Sequence, residues 1–473
     1  MERFMPIFFC FVGNNAYLCA MNSHKEILRI ALPSIVTNIT VPLLGIVDMA
    51  IVGHLQQVAA IGAIAVGGLI FNMVYWLFNF LRMGSSGLTA QAYGRADLPS
   101  IRRVLRMALM VAGSCGLLIF AIQRPMEWAS HFIIAPTDEV WTLALRYFRV
   151  RIWAAPAVLS LFAMNGWLIG MQNSRFPLYI AVGQNVINIV LSYLLVIRYG
   201  MGVEGVALGT VVSQYAGLLA ACWLCHRQLR LSTQLFTNAV DNPTSEAYEQ
   251  AIVDKSEGFE LSYQQFFTVN RDIFLRMICL IAVTTAFTAY GARMGDTLLA
   301  VNSLLMQLFT LISYFCDGFA LAGEALVGKY YGKALTRNAM GRKDPDVLCI
   351  VSQLFRWGGA VVLLFTFIYI IAGKGILGLL TNDTLVVEAA MRYLPWAAAI
   401  PLCGVAAFLW DGIFIGLTAT RQMFLSLLSG AFLFFAARWA LSLVMADSND
   451  ALWLAFLLYL LVRGIVLWVC FRR

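Results

Sequence analysis

The stretch LLGIVDMAIVG, residues 43–53, contains one carboxylate, Asp48, inside an apolar run. The run from Leu28 to Val52 is long enough to cross a lipid bilayer as a helix, which needs roughly 20 residues. No basic residue lies one helical turn from Asp48 on either side. An ionised carboxylate is costly inside a bilayer, so such a group usually faces a cavity and takes up a proton or binds a cation. Asp48 is therefore a candidate functional residue.

The composition indicates a membrane protein along the whole chain. Of the 473 residues, 61% are hydrophobic and 12% are charged, whereas about one quarter are charged in a typical soluble protein. Apolar runs of spanning length recur between charged or Gly/Pro breaks. We predict twelve spans, at residues 28–52, 59–83, 104–123, 143–170, 177–199, 203–225, 271–292, 298–328, 349–373, 389–417, 422–445 and 450–470.

The net charge of +8 is concentrated in short connections between the apolar runs. Examples are GRADLPSIRRVLR (94–106) and GKALTRNAMGRKD (332–344). Short basic connections mark the cytoplasmic side of membrane proteins, so the charge is interpreted as a topology signal and not as a nucleic-acid site. We predict that both termini face the cytoplasm and that the chain contacts a lipid bilayer and no nucleic acid.

Three arginines at the outer start of the fourth span do not fit this pattern. They are Arg146, Arg149 and Arg151. Long basic side chains near the end of a span can extend to the membrane interface. We expect these arginines to do so, or to pair with Asp138 or Glu139.

The chain contains an internal repeat. At an offset of 238, AYG at 92–94 meets YYG at 330–332. At an offset of 246, FAMNGWLIGMQNSR (162–175) meets FLWDGIFIGLTATR (408–421). Each half holds six predicted spans, an even number, so the repeats run parallel. We predict an all-α polytopic membrane protein with two six-helix bundles around a central cleft, an architecture of transporters.

The repeat also predicts the domain boundaries. An N-terminal lobe, 21–227, and a C-terminal lobe, 270–473, are joined by a polar cytoplasmic linker, 228–269. Residues 1–20 are interpreted as an upstream extension, because MNSHKEILRIALP from Met21 has the pattern of a cytoplasmic start before the first span. The sequence leaves the true start open.

Five stretches carry a family resemblance: LRIALPSIVTNITVPLLGIVDMAIVGHL, FLRMGSSGLTAQAYG, VNRDIFLR, YFCDGFALAGEALVG and DGIFIGLTATR. They resemble the multidrug and toxic compound extrusion (MATE) exporters, in particular the DinF-like branch, over residues 22–473. The resemblance implies an antiporter that moves amphipathic, cationic small molecules out of the cytoplasm, driven by inward proton or sodium flow. It also implies a plasma (inner) membrane protein that is not an enzyme and needs no cofactor or metal. We expect a monomer.

The resemblance implies a cation-coupling cluster in the N-terminal lobe, formed by Asp48, Asn165, Asn188 and Thr210. Many members carry an aspartate four residues after the second asparagine, where this chain has Ser192. The coupling ion and its stoichiometry therefore stay open between H⁺ and Na⁺, although one carboxylate with neutral partners favours the proton. Asn188 and Ser192 are spaced i, i+4, so they share one helix face and can serve one site.

Three further acids, Asp317, Glu324 and Asp411, lie within or at the edge of C-terminal spans. The resemblance implies that such acids lie near the substrate cleft. Asp317 and Glu324 are seven residues apart, so they line one face of a helix. The alternative is a structural role in which an arginine neutralises one of them. The candidate arginines are Arg82, Arg356 and Arg438.

Two other classes of function are open to such a chain. A lipid-linked saccharide flippase of the same superfamily is expected to have a cleft rich in Arg and Lys and, often, two further spans. A membrane-embedded enzyme needs a catalytic constellation. The sequence has no HExxH, no GxSxG and no phosphate-binding Gly-rich loop with its Lys. Both alternatives are therefore less favoured than export.

Overall fold

The computed structural model describes residues 22–53, 58–134, 137–241, 262–337, 341–381, 383–445 and 448–473. Among these residues every regular element is a helix, and no strand occurs. The helices are α1 (Asn22–Gly53), α2 (Val58–Leu77), α3 (Phe80–Gly94), α4 (Leu98–Ala121), α5 (Gln123–Ile134), α6 (Asp138–Arg151), α7 (Ala155–Gly170), α8 (Arg175–Tyr193), α9 (Gly202–Asp241), α10 (Tyr263–Ala292), α11 (Asp296–Thr336), α12 (Pro345–Leu380), α13 (Thr384–Gly416), α14 (Thr420–Val444) and α15 (Ser448–Arg472). The prediction of an all-α fold is confirmed.

Helices of membrane-spanning length account for nearly all of the described chain. Eleven helical segments are long and apolar enough to cross a bilayer, when α2 is counted with α3 and α6 with α7. Helix α1 contains the remaining predicted span, 28–52. The chain is an integral membrane protein with twelve spans, as predicted.

The helices form two compact units. The N-unit is Leu32–Phe267, and the C-unit is Thr268–Arg473 together with the described start of α1 as far as Ala31. Each unit contains six of the twelve spans, so the predicted pair of six-helix bundles is confirmed. Within the N-unit α3 and α4 pack on α7, and α8 packs on α9. Within the C-unit α11 and α12 pack on α13, and α14 packs on α15.

The unit boundaries differ from the predicted lobe boundaries at the start of α1. The Glu26 carboxylate accepts hydrogen bonds from the Lys329 ammonium at 3.4 Å and the Tyr330 hydroxyl at 3.2 Å, so the first turns of α1 belong to the C-unit. A charged first turn followed by an apolar run gives no signal of this division. The predicted extension, 1–20, lies outside the described residues.

The connection between α9 and α10 is shorter than the predicted linker, 228–269. Helix α9 continues to Asp241, and α10 begins at Tyr263. Of the predicted linker, 228–269, only the part between these helices remains, and residues 242–261 of it lie outside the described chain. The polar composition at the end of α9 was interpreted as a linker, but polar residues are also typical of a helix that leaves the membrane.

A pair of close helix crossings repeats in the two units. A Cβ added to Gly166 of α7 would lie 2.1 Å from the backbone oxygen of Arg82 in α3. A Cβ added to Gly412 of α13 would lie 2.1 Å from the backbone oxygen of Ala320 in α11. These pairs correspond at the offsets of 246 and 238 found in the sequence. Small residues let membrane helices approach closely, and here they do so at the same place in each repeat.

The turn after each of these glycine-containing helices also repeats. Gln172 has a φ of 63° and Thr418 a φ of 52°, a left-handed conformation that is uncommon for residues other than glycine. The backbone N–H of Gln172 donates to the Ile169 carbonyl, and the backbone N–H of Thr418 donates to the Ile415 carbonyl, both at 2.9 Å. The internal repeat is therefore present in backbone geometry as well as in sequence.

Replacing Gly166 or Gly412 with Ala is expected to separate the crossing helices and to destabilise the fold by about 1–3 kcal/mol, the usual cost of overpacking. The measurement is the midpoint of thermal unfolding of purified protein in detergent. Gly183→Ala in α8 is the matched control, because nothing lies within 4 Å of a Cβ at that position. Equal midpoints for all three variants would contradict the close approach.

Candidate functional site

Arg151 on α6 places its guanidinium group inside the N-unit. Tyr147 and Arg151 lie one helical turn apart, and the Arg151 Nη1 atom donates to the Tyr147 hydroxyl at 2.7 Å. Tyr147 is 2% exposed. The Tyr147 ring packs against Gly67 of α2, which leaves room for it because a Cβ at that position would lie only 2.4 Å from the ring. The Arg151 guanidinium also lies 5.4 Å from the centroid of the Phe71 ring, a cation–π contact. Aromatic packing thus holds a partly buried cation in place.

The Thr210 hydroxyl connects three helices. It accepts a hydrogen bond from Arg151 Nη1 at 3.3 Å and another from Asn188 Nδ2 at 3.0 Å. It donates to the Val206 carbonyl within α9 at 3.0 Å. Asn188 and Thr210 are both buried. The structure therefore brings together two residues of the predicted coupling cluster and adds an arginine to them.

Asp48 belongs to the same group through electrostatics. Its side chain is 5% exposed. Its charge lies close enough to the Arg151 guanidinium for an electrostatic attraction. Among the described residues, no group donates a hydrogen bond to its Oδ1 atom. A buried carboxylate oxygen without a donor is costly while the group is charged, so this atom is available to bind a proton or a cation.

The other predicted residues contribute further unbonded oxygens. Asn165 Oδ1, Asn188 Oδ1 and Ser192 Oγ are buried and have no hydrogen-bond partner within the described chain. Ser192 is fully buried against Gly209, where a Cβ would lie 2.6 Å from the Ser192 hydroxyl oxygen. We use the name polar cluster for the groups around Arg151 and Thr210. Its members are Asp48, Arg151, Asn188 and Thr210; the inclusion of Asn165 and Ser192 stays a prediction.

Of the two alternatives expected for the α6 arginines, pairing with Asp138 or Glu139 is not found for Arg149 or Arg151. Arg149 donates to Glu127 of α5 at 3.1 and 3.2 Å, and Arg151 turns into the polar cluster. Asp138 and Glu139 begin the helix, roughly 15–20 Å away along its axis at 1.5 Å per residue. Arg151 was therefore missed as a site residue. Its i, i+4 spacing from Tyr147, next to an apolar run, was the available signal.

The C-unit contains a buried charge cluster of a different kind. Asp411 of α13 is 6% exposed and accepts hydrogen bonds from Arg276 of α10 and from Arg463 Nη2 of α15, the latter at 2.7 Å. Arg463 also donates to the Tyr459 hydroxyl at 3.2 Å. Two guanidinium groups thus converge on one carboxylate. We use the name charge triad for Arg276, Asp411 and Arg463.

The charge triad corrects the predicted partners of the C-terminal acids. For Asp411 they are neither Arg82 nor Arg438, whose side chains donate to Asn79 at 3.1 Å and to Ser448 at 2.6 Å. Arg82 lies in the first turn of α3 and Arg438 in the last two turns of α14, and local polar groups bind both. Arg276 and Arg463 were missed, although a basic residue deep in an apolar run itself predicts an acidic partner.

The other two predicted cleft acids lie on α11. Glu324 is 2% exposed and Asp317 is partly buried. Glu324 lies where α11 crosses α13, because a Cβ at Gly416 would lie 2.9 Å from its backbone oxygen. Asp411 is the repeat counterpart of Asn165, at the offset of 246. The same position thus carries an amide in the N-unit and an acid between two arginines in the C-unit.

Asp411→Asn is expected to destabilise the protein by roughly 3–5 kcal/mol, because it leaves two buried guanidinium groups without a counter-charge. Asp346→Asn is the matched control, since its carboxylate is 53% exposed and lies 4.0 Å from Arg337. An exposed pair of this kind contributes about 0–1 kcal/mol. Thermal unfolding in detergent measures both. Similar midpoints for the two variants would contradict a structural role of the triad.

Comparison with known families gives a match over most of the chain. The MatE family model matches residues 33–194 and 273–438, so it covers the corresponding part of each repeat. The chain is 36% identical over 454 residues to the DNA damage-inducible protein F of Escherichia coli (strain K12). That match covers 96% of this chain and 93% of the relative.

More distant relatives share the fold. The probable multidrug resistance protein NorM of Thermotoga maritima is 25% identical over 338 residues, which is 70% of this chain and 66% of the relative. A solved structure of a multidrug resistance MATE family transporter in its outward-facing conformation superposes with a TM-score of 0.79. It covers 95% of both chains at 17% identity, and at that identity the likeness concerns the fold.

Proposed function

We propose that this chain, which belongs to the MatE family of transporters, is an antiporter. It exports amphipathic, cationic small molecules in exchange for inward-moving protons. The observation that carries this proposal is the polar cluster, in which a buried acid, Asp48, shares one group with Arg151, Thr210 and Asn188. The basic connections support a plasma (inner) membrane location with both termini in the cytoplasm.

Arg151 is the reason for preferring the proton over the sodium ion. A sodium site collects several oxygen atoms around a net negative charge, whereas the Arg151 guanidinium already binds the Thr210 hydroxyl. That hydroxyl also accepts from Asn188 and donates to Val206, so it is not available as a ligand of Na⁺. A proton needs only the unbonded Asp48 oxygen, and it changes the charge of the Asp48–Arg151 pair from zero to +1.

Coupling follows if the two charge states of this pair favour different conformations. A ligand shifts an equilibrium only by its differential affinity for the two states. Ionised Asp48 attracts Arg151, while protonated Asp48 does so much less. When Arg151 moves away, the Thr210 hydroxyl loses one of its two hydrogen-bond donors. The remaining donor is Asn188, and this hydrogen bond joins α8 to α9. Proton binding at α1 is thereby linked to the packing of α6, α8 and α9.

The C-terminal acids differ in what they can offer a cationic substrate. Asp411 is already bound by two arginines, so its contribution is to reduce their combined charge from +2 to +1. Asp317 is partly buried in the same helix as Glu324 and is the better candidate for contact with a substrate. The flippase alternative requires free basic groups for a pyrophosphate, and Asp411 binds both arginines of the triad, which favours export.

Asp48→Asn is expected to reduce proton-driven efflux of a fluorescent cation from reconstituted vesicles at least tenfold, because the amide cannot exchange a proton. Folding is expected to persist, since the amide resembles the neutral acid in shape. Asp138→Asn, at the exposed start of α6, is the matched control. Efflux by Asp48→Asn at the wild-type rate under a pH gradient would overturn the proposed role of Asp48.

Arg151→Gln is expected to convert the cluster into a sodium site, because removing the cation leaves the acid and its neighbouring oxygens with a net charge of −1. The measurement is the unfolding midpoint with Na⁺ against the same concentration of K⁺. Na⁺ should raise the midpoint of Arg151→Gln but not of the wild type or of Arg151→Lys. Arg146→Gln, exposed on the same helix, is the control. A wild-type protein already stabilised selectively by Na⁺ would contradict proton coupling.

A further inference from the structure

Helix α5 (Gln123–Ile134) lies between two membrane-crossing segments but does not cross the membrane itself. Its 12 residues span roughly 18 Å at 1.5 Å per residue. The hydrocarbon core is about 30 Å thick. The sequence pattern treated this stretch as a connection after the third span. The structure shows instead a separate helix that follows the end of α4 and precedes α6.

Two large aromatic side chains point away from the protein on α5. Trp128 is 74% exposed and Phe132 is 79% exposed. They are one helical turn apart, and their rings stack with a centroid distance of 6.2 Å and an interplanar angle of 10°. Exposed apolar groups on the spanning helices face acyl chains, but this pair lies outside the spanning segments. Its exposure therefore needs another explanation.

A neighbouring side of α5, about 100° round the helix axis from the aromatic pair, is fixed to α6. Glu127 is 9% exposed and accepts two hydrogen bonds from Arg149, at 3.1 and 3.2 Å. The His131 ring lies 4.8 Å from the Trp141 ring. A two-point charged contact and a ring contact together define the rotation of α5 about its axis. These contacts therefore determine the direction in which Trp128 and Phe132 point.

We propose that α5 lies flat in the membrane interface and that Trp128 and Phe132 insert at the boundary between lipid headgroups and acyl chains. Tryptophan and other aromatic rings favour this layer because one part of it is apolar and another is wet. Arg124, one turn before Trp128, contacts Glu127 at 3.4 Å, and its side chain is 74% exposed, so we expect it to extend towards the lipid phosphates. A helix with one aromatic and one charged side is typical of interfacial anchors.

The position of α5 in the chain favours lipid over a protein partner. The helix begins two residues after α4 ends and is followed closely by α6, so both of its ends are held at the membrane surface. A surface there contacts lipid without any further association. Arg149, which donates to Glu127, is two residues from Arg151 on α6.

The test measures the depth of position 128 in vesicles of phosphatidylcholine and phosphatidylglycerol containing the full chain. Because the chain has 12 tryptophans and 10 cysteines, a genetically encoded fluorescent amino acid replaces Trp128. Quenchers are placed in lipid headgroups, at shallow and deep acyl positions, and in water as iodide. The same label at Leu219, which is 72% exposed within α9, is the deep control. The label at Glu139, exposed at the start of α6, is the aqueous control.

Position 128 is expected to be quenched most by headgroup and shallow acyl quenchers, with at least threefold less quenching by iodide than position 139. Strong iodide quenching with no lipid quenching would overturn the proposal in favour of a water-exposed helix. Protection from every quencher would overturn it in favour of a protein partner, such as a second copy of the chain. Quenching of 128 at the depth of 219 would also overturn it, because α5 would then be buried in the acyl layer.

A second variant tests the contact between α5 and α6. Arg149→Gln removes the charged contact with Glu127 and is expected to broaden the depth profile at position 128, with increased iodide quenching. Arg146→Gln, on the same helix and exposed, should leave the profile unchanged. An unchanged profile for Arg149→Gln would show that the Glu127 contact does not orient the anchor.

Discussion

The hydrocarbon interior of a bilayer supplies no hydrogen bonds, and most of this structure follows from that constraint. Helices satisfy the backbone internally, which is why the spanning segments are helical. Charged side chains need partners of their own. Arg151 finds them in the hydroxyls of Tyr147 and Thr210 and in the ring of Phe71. Where a buried oxygen is left without a partner, the group is available for exchange with an ion.

The two repeats meet this constraint in different ways. Their crossings are alike, since Gly166 and Gly412 each bring a helix against a backbone oxygen of its neighbour. Their charges are not alike. The N-unit has the amide of Asn165 and several unbonded oxygens at this level, whereas the C-unit has Asp411 fixed by Arg276 and Arg463. We infer that the N-unit retains a group that can change its charge, while the C-unit has a fixed internal brace.

The sequence predicted the features that depend on composition and period. The spans and the repeat follow from apolar runs and from similarity between segments, whereas the grouping of Asn188 with Thr210 was implied by the family resemblance. Partners across helices could not be predicted, because they depend on rotation and approach. Arg151 was placed with the wrong acids for this reason, and Arg463 was not connected with Asp411. The division of α1 between the units has no local signal at all, since its first turns bind residues some 300 positions away, at Lys329.

The charge triad also has a consequence for how this protein can change over generations. Loss of Asp411 leaves two buried guanidinium groups without a counter-charge, and loss of both arginines leaves Asp411 uncompensated, whereas loss of one arginine still leaves an ion pair. Asp411 can therefore be replaced without a large loss of stability only when the arginines change with it or in a favourable background. For Asn165, the counterpart of Asp411 in the other repeat, the side-chain oxygen has no hydrogen-bond partner among the described residues. Substitution at position 411 therefore depends on the residues at 276 and 463, whereas position 165 of the other repeat is less constrained.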